Sequence, residues 1–167
     1  NGYDSDVLDE TSDGTSITFD KTTPGVTTLI LTSSNANDLT LAKVGDVLTL
    51  ELVANEVLQQ PTFSIAGETT ITEEAGGTNA SWSGTYTMQN MDTEGDQAIQ
   101  VDFMDYAGNS VATTIVTTDG SAVRFDKTVP TLDAVTIVSD NIYSNQAAKT
   151  ENTLTLSIEA SEDLKSA

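Results

Sequence analysis

The chain has 167 residues, of which 26 are acidic and 6 are basic, and its formal net charge is −20. Nucleic acids and anionic membranes bind clustered Lys or Arg, so this charge excludes both as partners. The absence of cysteine excludes disulfides and thiol chemistry. No apolar window reaches the roughly 18 residues that a transmembrane helix needs, so membrane insertion is not expected.

The first predicted strands show a period-two alternation of apolar and polar side chains. Leu29 and Leu31 mark the first strand. In Val47–Ala54, leucines occupy every second position and alternate with valine, threonine and glutamate. One apolar face and one mixed face indicate a half-buried strand.

Further along the chain, short apolar runs between turn residues predict the remaining strands. Trp82 shares a strand face with Tyr86 and Met88, so we expect it to be the core tryptophan of a sandwich. About seven short strands with turns between them predict an all-β, immunoglobulin-like antiparallel β-sandwich. These further strands are Phe63–Ile65, Thr69–Thr72, Trp82–Met88, Ile99–Asp105, Val111–Val116 and Val123–Phe125.

Part of the sequence occurs twice. Phe19–Pro24 returns with one change as Phe125–Pro130, at an offset of 106 residues, and residues 11–61 align with residues 117–167 without a gap. A fixed period with one supersecondary block per copy is typical of tandem repeats. We therefore expect residues 1–19 to be the tail of a preceding copy and residues 20–125 a complete copy. Residues 126–167 would be the first two strands of an incomplete copy, with a half-buried strand at Leu154–Ile158.

Three short motifs follow one another along the chain. Val101–Asn109 contains an Asp-x-Ala-Gly-Asn turn and Phe125–Pro130 an Asp-x-Thr-x-Pro linker. Ala54-Asn55-Glu56 and Ala160-Ser161-Glu162 are similar to a small-Ser-Glu loop. Together these motifs resemble the bacterial immunoglobulin-like (Big-type) repeats of large secreted or surface adhesins and biofilm proteins. The resemblance implies an extracellular or cell-surface location, neighbouring repeats as partners, and in some relatives Ca²⁺ at domain junctions.

Calcium is the sharpest chemical hypothesis that the residues support. An immunoglobulin topology brings the segment before the first strand and two later loops to one end of the domain, and carboxylate and amide oxygens are the ligands that Ca²⁺ requires. The alternative is that Asp105 and Asn109 only bond backbone amides in a tight turn at Gly108. The candidate ligands are Asp20, Glu56, Asp105 and Asn109 in the complete copy, with Asp126 and Glu162 at the following junction.

Other acidic groups give weaker signals. The alternating Asp4, Asp6, Asp9 and Glu10 lack the glycine and final glutamate of a calcium loop, so a solvated tail is expected there. The acidic turn at residues 90–96 is a second, weaker candidate for metal binding.

Catalysis and glycan binding have less support. The chain has no histidine and no cysteine, so the commonest general base and the thiol nucleophile are missing, and we do not expect an enzyme. A glycan-binding module would need exposed aromatic side chains, for which Tyr106 and Tyr143 are the candidates.

Two structural roles remain. The leading hypothesis is a stiff spacer in a surface adhesin or extracellular fibre, with Ca²⁺ rigidifying its junctions. The alternative is a self-assembling filament subunit whose incomplete ends share strands with identical neighbouring chains, since exposed strand edges invite such pairing.

Overall fold

The computed structural model describes residues 13–69, 71–74 and 78–164, with the backbone alone for residues 71–74. The described residues form strands and no helix. They divide into two compact units, one ending at Asp126 and the other beginning at Lys127. The fold is therefore all-β, as the sequence predicts.

The first unit contains ten strands among its described residues: β1 (Val26–Ser33), β2 (Leu41–Ala42), β3 (Val47–Ala54), β4 (Thr62–Ile65), β5 (Glu68–Thr69), β6 (Ile71–Glu74), β7 (Ser81–Thr87), β8 (Gly95–Asp96), β9 (Ile99–Asp102) and β10 (Arg124–Phe125). The main sheet has the order β1-β3-β7-β6, a second sheet has the order β5-β4-β9, and a short third has the order β2-β10-β8. All neighbouring pairs are antiparallel except β2–β10. These small antiparallel sheets are consistent with a β-sandwich.

The hydrophobic core lies on one face of β3. The three leucines of this strand are at most 1% exposed, which confirms the predicted alternation. Phe63 and Ile65 of β4 and Val101 of β9 belong to the same core cluster and are fully buried. Trp82 is 8% exposed and is also part of the core, as predicted. Each fully buried aliphatic or aromatic side chain contributes about 1.5–3 kcal/mol relative to leaving it exposed.

The segment that leads into β10 runs beside the outer edge of β1. The Leu29 N–H donates to Thr118 Oγ1 at 2.9 Å, and the Thr118 N–H donates to Leu29 O at 2.8 Å. The Leu31 N–H donates to Ser121 Oγ at 2.9 Å. The two segments therefore advance in the same direction, and the segment ends with Phe125 fully buried.

The predicted strand at Val111–Val116 is wrong as a continuous element. Only isolated bridges occur there, Met104 with Ser110 and Val101 with Thr114. Ile115 and Val116 are 65% and 68% exposed, so their apolar character does not reflect burial in this unit. Because these two bridges do not join into a continuous ladder of hydrogen bonds, residues 110–116 form no regular strand.

The second unit contains a hairpin of β11 (Leu132–Ser139) and β12 (Leu154–Ala160). The register of this hairpin matches that of β1 and β3 at every paired position with the 106-residue offset, and both pairs have an irregularity at the equivalent place. The prediction of a strand at Leu154–Ile158 is thus confirmed. Its predicted burial is wrong, because Leu154, Leu156 and Ile158 are 55%, 61% and 56% exposed.

Candidate metal site

Three segments of the first unit meet at one end of the sheets. Asp20 precedes β1, Glu56 follows β3, and Asp105 follows β9. The loop after β3 is tied to the loop after β9 by Gln59, whose N–H donates to Met104 O at 2.9 Å. The Gln59 side-chain amide also donates to Asp105 O at 2.8 Å. These bonds fix the two loops against each other and bring their carboxylates together.

The three carboxylates form a compact cluster. One oxygen each of Asp20, Glu56 and Asp105 lies within 4.8 Å of the other two. Oxygens on opposite sides of a Ca²⁺ ion lie roughly 4.6–5.2 Å apart, because each Ca–O distance is about 2.3–2.6 Å. One metal ion could therefore contact all three carboxylates. The ion pairs Lys43–Asp46 and Arg124–Asp96 involve none of the three.

Asp105 is held in place by the turn that follows it. The Asn109 N–H donates to Asp105 Oδ1 at 2.8 Å, and the Asn109 side-chain amide donates to Oδ2 at 2.7 Å. Burial raises the pKa of Asp105, but the bonds from Asn109 and from the Gly108 and Ala107 amides outweigh it and hold the pKa below its usual value. Asp105 is therefore an ionised, oriented carboxylate at neutral pH.

Glu56 has the opposite electrostatic balance. Desolvation is the largest cause of its raised pKa, and the negative charges of Asp20 and Asp105 raise the pKa further. Its Oε1 atom is buried and has no hydrogen-bond partner. A buried carboxylate oxygen without a donor is costly unless something positive reaches it. The donor set and this unsatisfied oxygen together fit a hard divalent cation.

The structure thus brings together three of the predicted site residues and supports them with a fourth. Asn109 directs its amide nitrogen at Asp105 and, at 3.3 Å, at the carbonyl oxygen of Asp20. This arrangement matches the turn interpretation of Asn109, and it serves the carboxylate cluster at the same time. Gly108 supplies the positive φ, +91°, that the turn requires.

The two remaining predicted ligands lie elsewhere. Asp126 ends the first unit, and its N–H donates to Ala42 O at 2.9 Å. Glu162 lies in the loop after β12 of the second unit and, like Glu56, has a buried Oε1 without a hydrogen-bond partner. Their joint role as ligands stays a prediction.

The weaker acidic candidates separate into two cases. The acidic tail at Asp4, Asp6, Asp9 and Glu10 lies outside the described residues. In the acidic turn, Asp92 accepts hydrogen bonds from the Tyr86 hydroxyl at 3.0 Å and from a backbone N–H at 2.6 Å. These bonds give Asp92 a structural role in closing the turn.

One contributor to the site is missing from the sequence-based prediction. Gln59 bonds to backbone atoms of the opposite loop, and such bonds leave no pattern of residue types or spacing. The exposed aromatic candidates for glycan binding lie in different units. Tyr106 is 64% exposed beside the carboxylate cluster, and its hydroxyl accepts a hydrogen bond from Asn79, while Tyr143 is 85% exposed in the second unit.

Comparison of the chain with protein-family profiles, curated proteins and solved structures finds no match. Among the residues that the structure describes, no helix has the length and apolar character needed to cross a membrane.

Proposed function

We propose that this chain is a structural repeat module of an extracellular or surface-attached bacterial protein, of the immunoglobulin-like kind, acting as a stiff spacer. The observation that carries the proposal is that the antiparallel pair β1–β3 and the hairpin β11–β12 have the same pairing register. Leu29 pairs with Leu52 in the first, and Val135 pairs with Ile158 in the second, each residue 106 positions after its counterpart. One block used twice at a fixed period is the organisation of an array.

The loops of the two hairpins support the same relationship. The Gly25 N–H donates to the Asn55 side chain at 2.7 Å, and at the equivalent place the Thr131 N–H donates to Ser161 Oγ at 3.0 Å. Different side chains thus make the same closing bond. A substitution that preserves the bond is expected when two copies of one module diverge under the same structural constraint.

The strand order supports the immunoglobulin-like assignment. The order β1-β3-β7-β6 corresponds to the A-B-E-D sheet of constant-type domains, and β4 and β9 correspond to strands C and F of the opposite sheet. In this assignment the irregular segment at 110–116, which forms an isolated bridge to β9 between Thr114 and Val101, would correspond to strand G. The composition also favours a structural role over catalysis, because the chain lacks histidine, the commonest general base, and cysteine, the thiol nucleophile.

Calcium binding at Asp20, Glu56 and Asp105 is the second part of the proposal. The ion would relieve the repulsion among three carboxylates and satisfy the buried Oε1 of Glu56. It would also bind the segment that enters the first unit at Asp20 to the loops at the end of the sheets. A cation that holds the entering segment against the domain would restrain the junction between neighbouring modules and so stiffen the array.

Thermal unfolding of the whole chain with CaCl₂ or with EDTA tests the calcium part. At a Ca²⁺ concentration 10–100 times Kd, binding stabilises the folded state by about 1.4–2.7 kcal/mol. Glu56→Gln is expected to lose most of this gain, whereas the exposed Glu51→Gln on β3 removes the same charge and keeps the gain. An equal response of both variants, or no response of the wild type, contradicts the calcium site.

Two further measurements test the spacer itself. Small-angle scattering with and without Ca²⁺ should show a larger or better defined maximum dimension with the ion, and an unchanged dimension removes the stiffening role. Antibodies raised against this chain should label intact cells of the producing organism or the material around them. Labelling only after the cells are broken contradicts a surface location.

A further inference from the structure

The second unit has an apolar face and a ready-made cavity. Ile137, Leu154 and Leu156 are 55–64% exposed, although their counterparts Leu31, Leu48 and Leu50 are at most 3% exposed. A cavity of about 250 Å³ lies at one end of this face, and Ile137, Ala148 and Leu154 are among its lining residues.

The counterpart of this cavity in the first unit is filled by the chain itself. There the segment 119–125 runs past β1 and places Val123 and Phe125, both 0% exposed, in the core. Phe125 pairs with Ala42, and the Asp126 N–H donates to Ala42 O. Ala42 is the counterpart of Ala148, so the cavity of the second unit occupies the place that a phenylalanine takes in the first.

Residues 13–19 have the features needed to fill it. Their side chains Ile17 and Phe19, the counterparts of Val123 and Phe125, are 98% and 86% exposed. The segment also has the same local conformation. The Thr15 N–H donates to Asp13 Oδ1 at 3.1 Å with Gly14 at φ +72°, and the Ser121 N–H donates to Asp119 Oδ1 at 2.9 Å with Gly120 at φ +77°.

We propose that the apolar face of β11 and β12 binds residues 13–19 of a second copy of this chain, with Phe19 in the cavity beside Ala148. The register of the first unit, in which Arg124 pairs with Leu41, predicts that Thr18 pairs with Ala147 in a parallel arrangement. Thr15 would bond the outer edge of β11 at Ile137, as Ser121 bonds Leu31.

This contact is head to tail, so each copy offers one donor segment and one acceptor face. Contacts of this kind extend into open filaments unless the rotation closes a ring. The proposal gives the self-assembling alternative a defined interface. It rests on the repeat relationship of the proposed function and is independent of the calcium site.

Sedimentation of the full chain in EDTA over a range of concentrations tests the proposal. The wild type is expected to associate as concentration rises. Phe19→Asp should weaken association at least about tenfold, since a buried aromatic side chain is lost from the contact. Tyr143→Asp, at another exposed aromatic residue, should leave association unchanged. Phe19 is exposed in the first unit, so its replacement does not disturb that fold.

A mixing experiment separates this contact from any symmetric one. Phe19→Asp has an intact acceptor, and Leu154→Arg has an intact donor segment. At a concentration where the wild type associates, each variant alone should be largely monomeric, and their mixture should form a one-to-one complex that does not grow. Because the chain has no cysteine, Thr18→Cys and Ala147→Cys chains should form a disulfide-linked pair on oxidation. Chains with Thr18→Cys and Asp133→Cys should not form this disulfide, because Asp133 lies at the other end of β11.

Three results would overturn the proposal. A wild type that stays monomeric at all concentrations would mean that another segment covers the hairpin. Association unaffected by Phe19→Asp would indicate pairing between hairpins. Equal cross-linking at Ala147 and Asp133 would contradict the predicted pairing of Thr18 with Ala147. None of these results alters the calcium response in thermal unfolding, so the two proposals fail separately.

Discussion

Replacing Leu50 by alanine tests where the core of the first unit lies. Leu50 is 0% exposed at the centre of β3, where it pairs with Leu31 on one side and Gly84 on the other. Three buried carbon groups are lost, which removes about 2.4 kcal/mol of transfer free energy at about 0.8 kcal/mol each. A strand held on both sides collapses little around the cavity, so the total is about 3–4 kcal/mol. For a unit of this size, Tm falls by roughly 10–15 °C.

Denaturant unfolding followed by tryptophan fluorescence is the assay, because Trp82 is the single tryptophan of the chain and lies in the same core. Leu39→Ala is the matched control in the same unit. Its side chain is 59% exposed, so the change should stay within about 0.5 kcal/mol. A cost below about 1 kcal/mol for Leu50→Ala, or equal costs for the two variants, would refute the placement of the core.

Three further predictions concern the site and the core. In EDTA at pH 7, Glu56→Gln should raise Tm, because the raised pKa of Glu56 means that its ionised form opposes folding. The stability contributed by protonated Glu56 is present below its unfolded-state pKa and is lost as pH rises through its folded-state pKa. The higher Tm of the Glu56→Gln variant should therefore vanish near pH 3.5. A higher Tm that persists at this pH would contradict ionisation of Glu56 as the cause. Gly108→Ala should cost about 1–2 kcal/mol in denaturant unfolding from backbone strain alone, since an added Cβ meets no atom within 4 Å, and Gly108→Asn should cost less. Trp82 should emit at short wavelength and resist iodide quenching until the first unit unfolds, and strong quenching in the native state would place it at the surface.

The leucine alternation in Val47–Ala54 is predictable because a strand with one buried face must repeat every two residues. The carboxylate cluster is predictable for a related reason. Once the strand order is assumed, chain connectivity alone decides that Asp20, Glu56 and Asp105 end at the same side of the sheets. Their separation within 4.8 Å, however, depends on loop bonds such as those of Gln59, which residue types do not reveal.

The predicted strand that does not form and the exposed face of the hairpin show what the alternation of apolar and polar residues cannot predict. Val111–Val116 has strand-like composition, yet its backbone makes only isolated bridges. Leu154–Ile158 has the same pattern as the buried leucines of β3, yet burial depends on partners such as Phe63 and Val101, which come from distant parts of the chain. A pattern within one strand contains no information about whether those partners are present.

The bonds between Leu29 and Thr118 and between Leu31 and Ser121 have a mechanical consequence. They link a strand near the beginning of the first unit to a segment near its end, and both run in the same direction. Tension applied through the two ends slides these segments along each other, so the bonds bear the load together instead of breaking one after another. Forced extension is governed by the rate of unfolding, and shared loading lowers that rate. A unit pulled at its two ends would therefore resist extension through this one short row of hydrogen bonds.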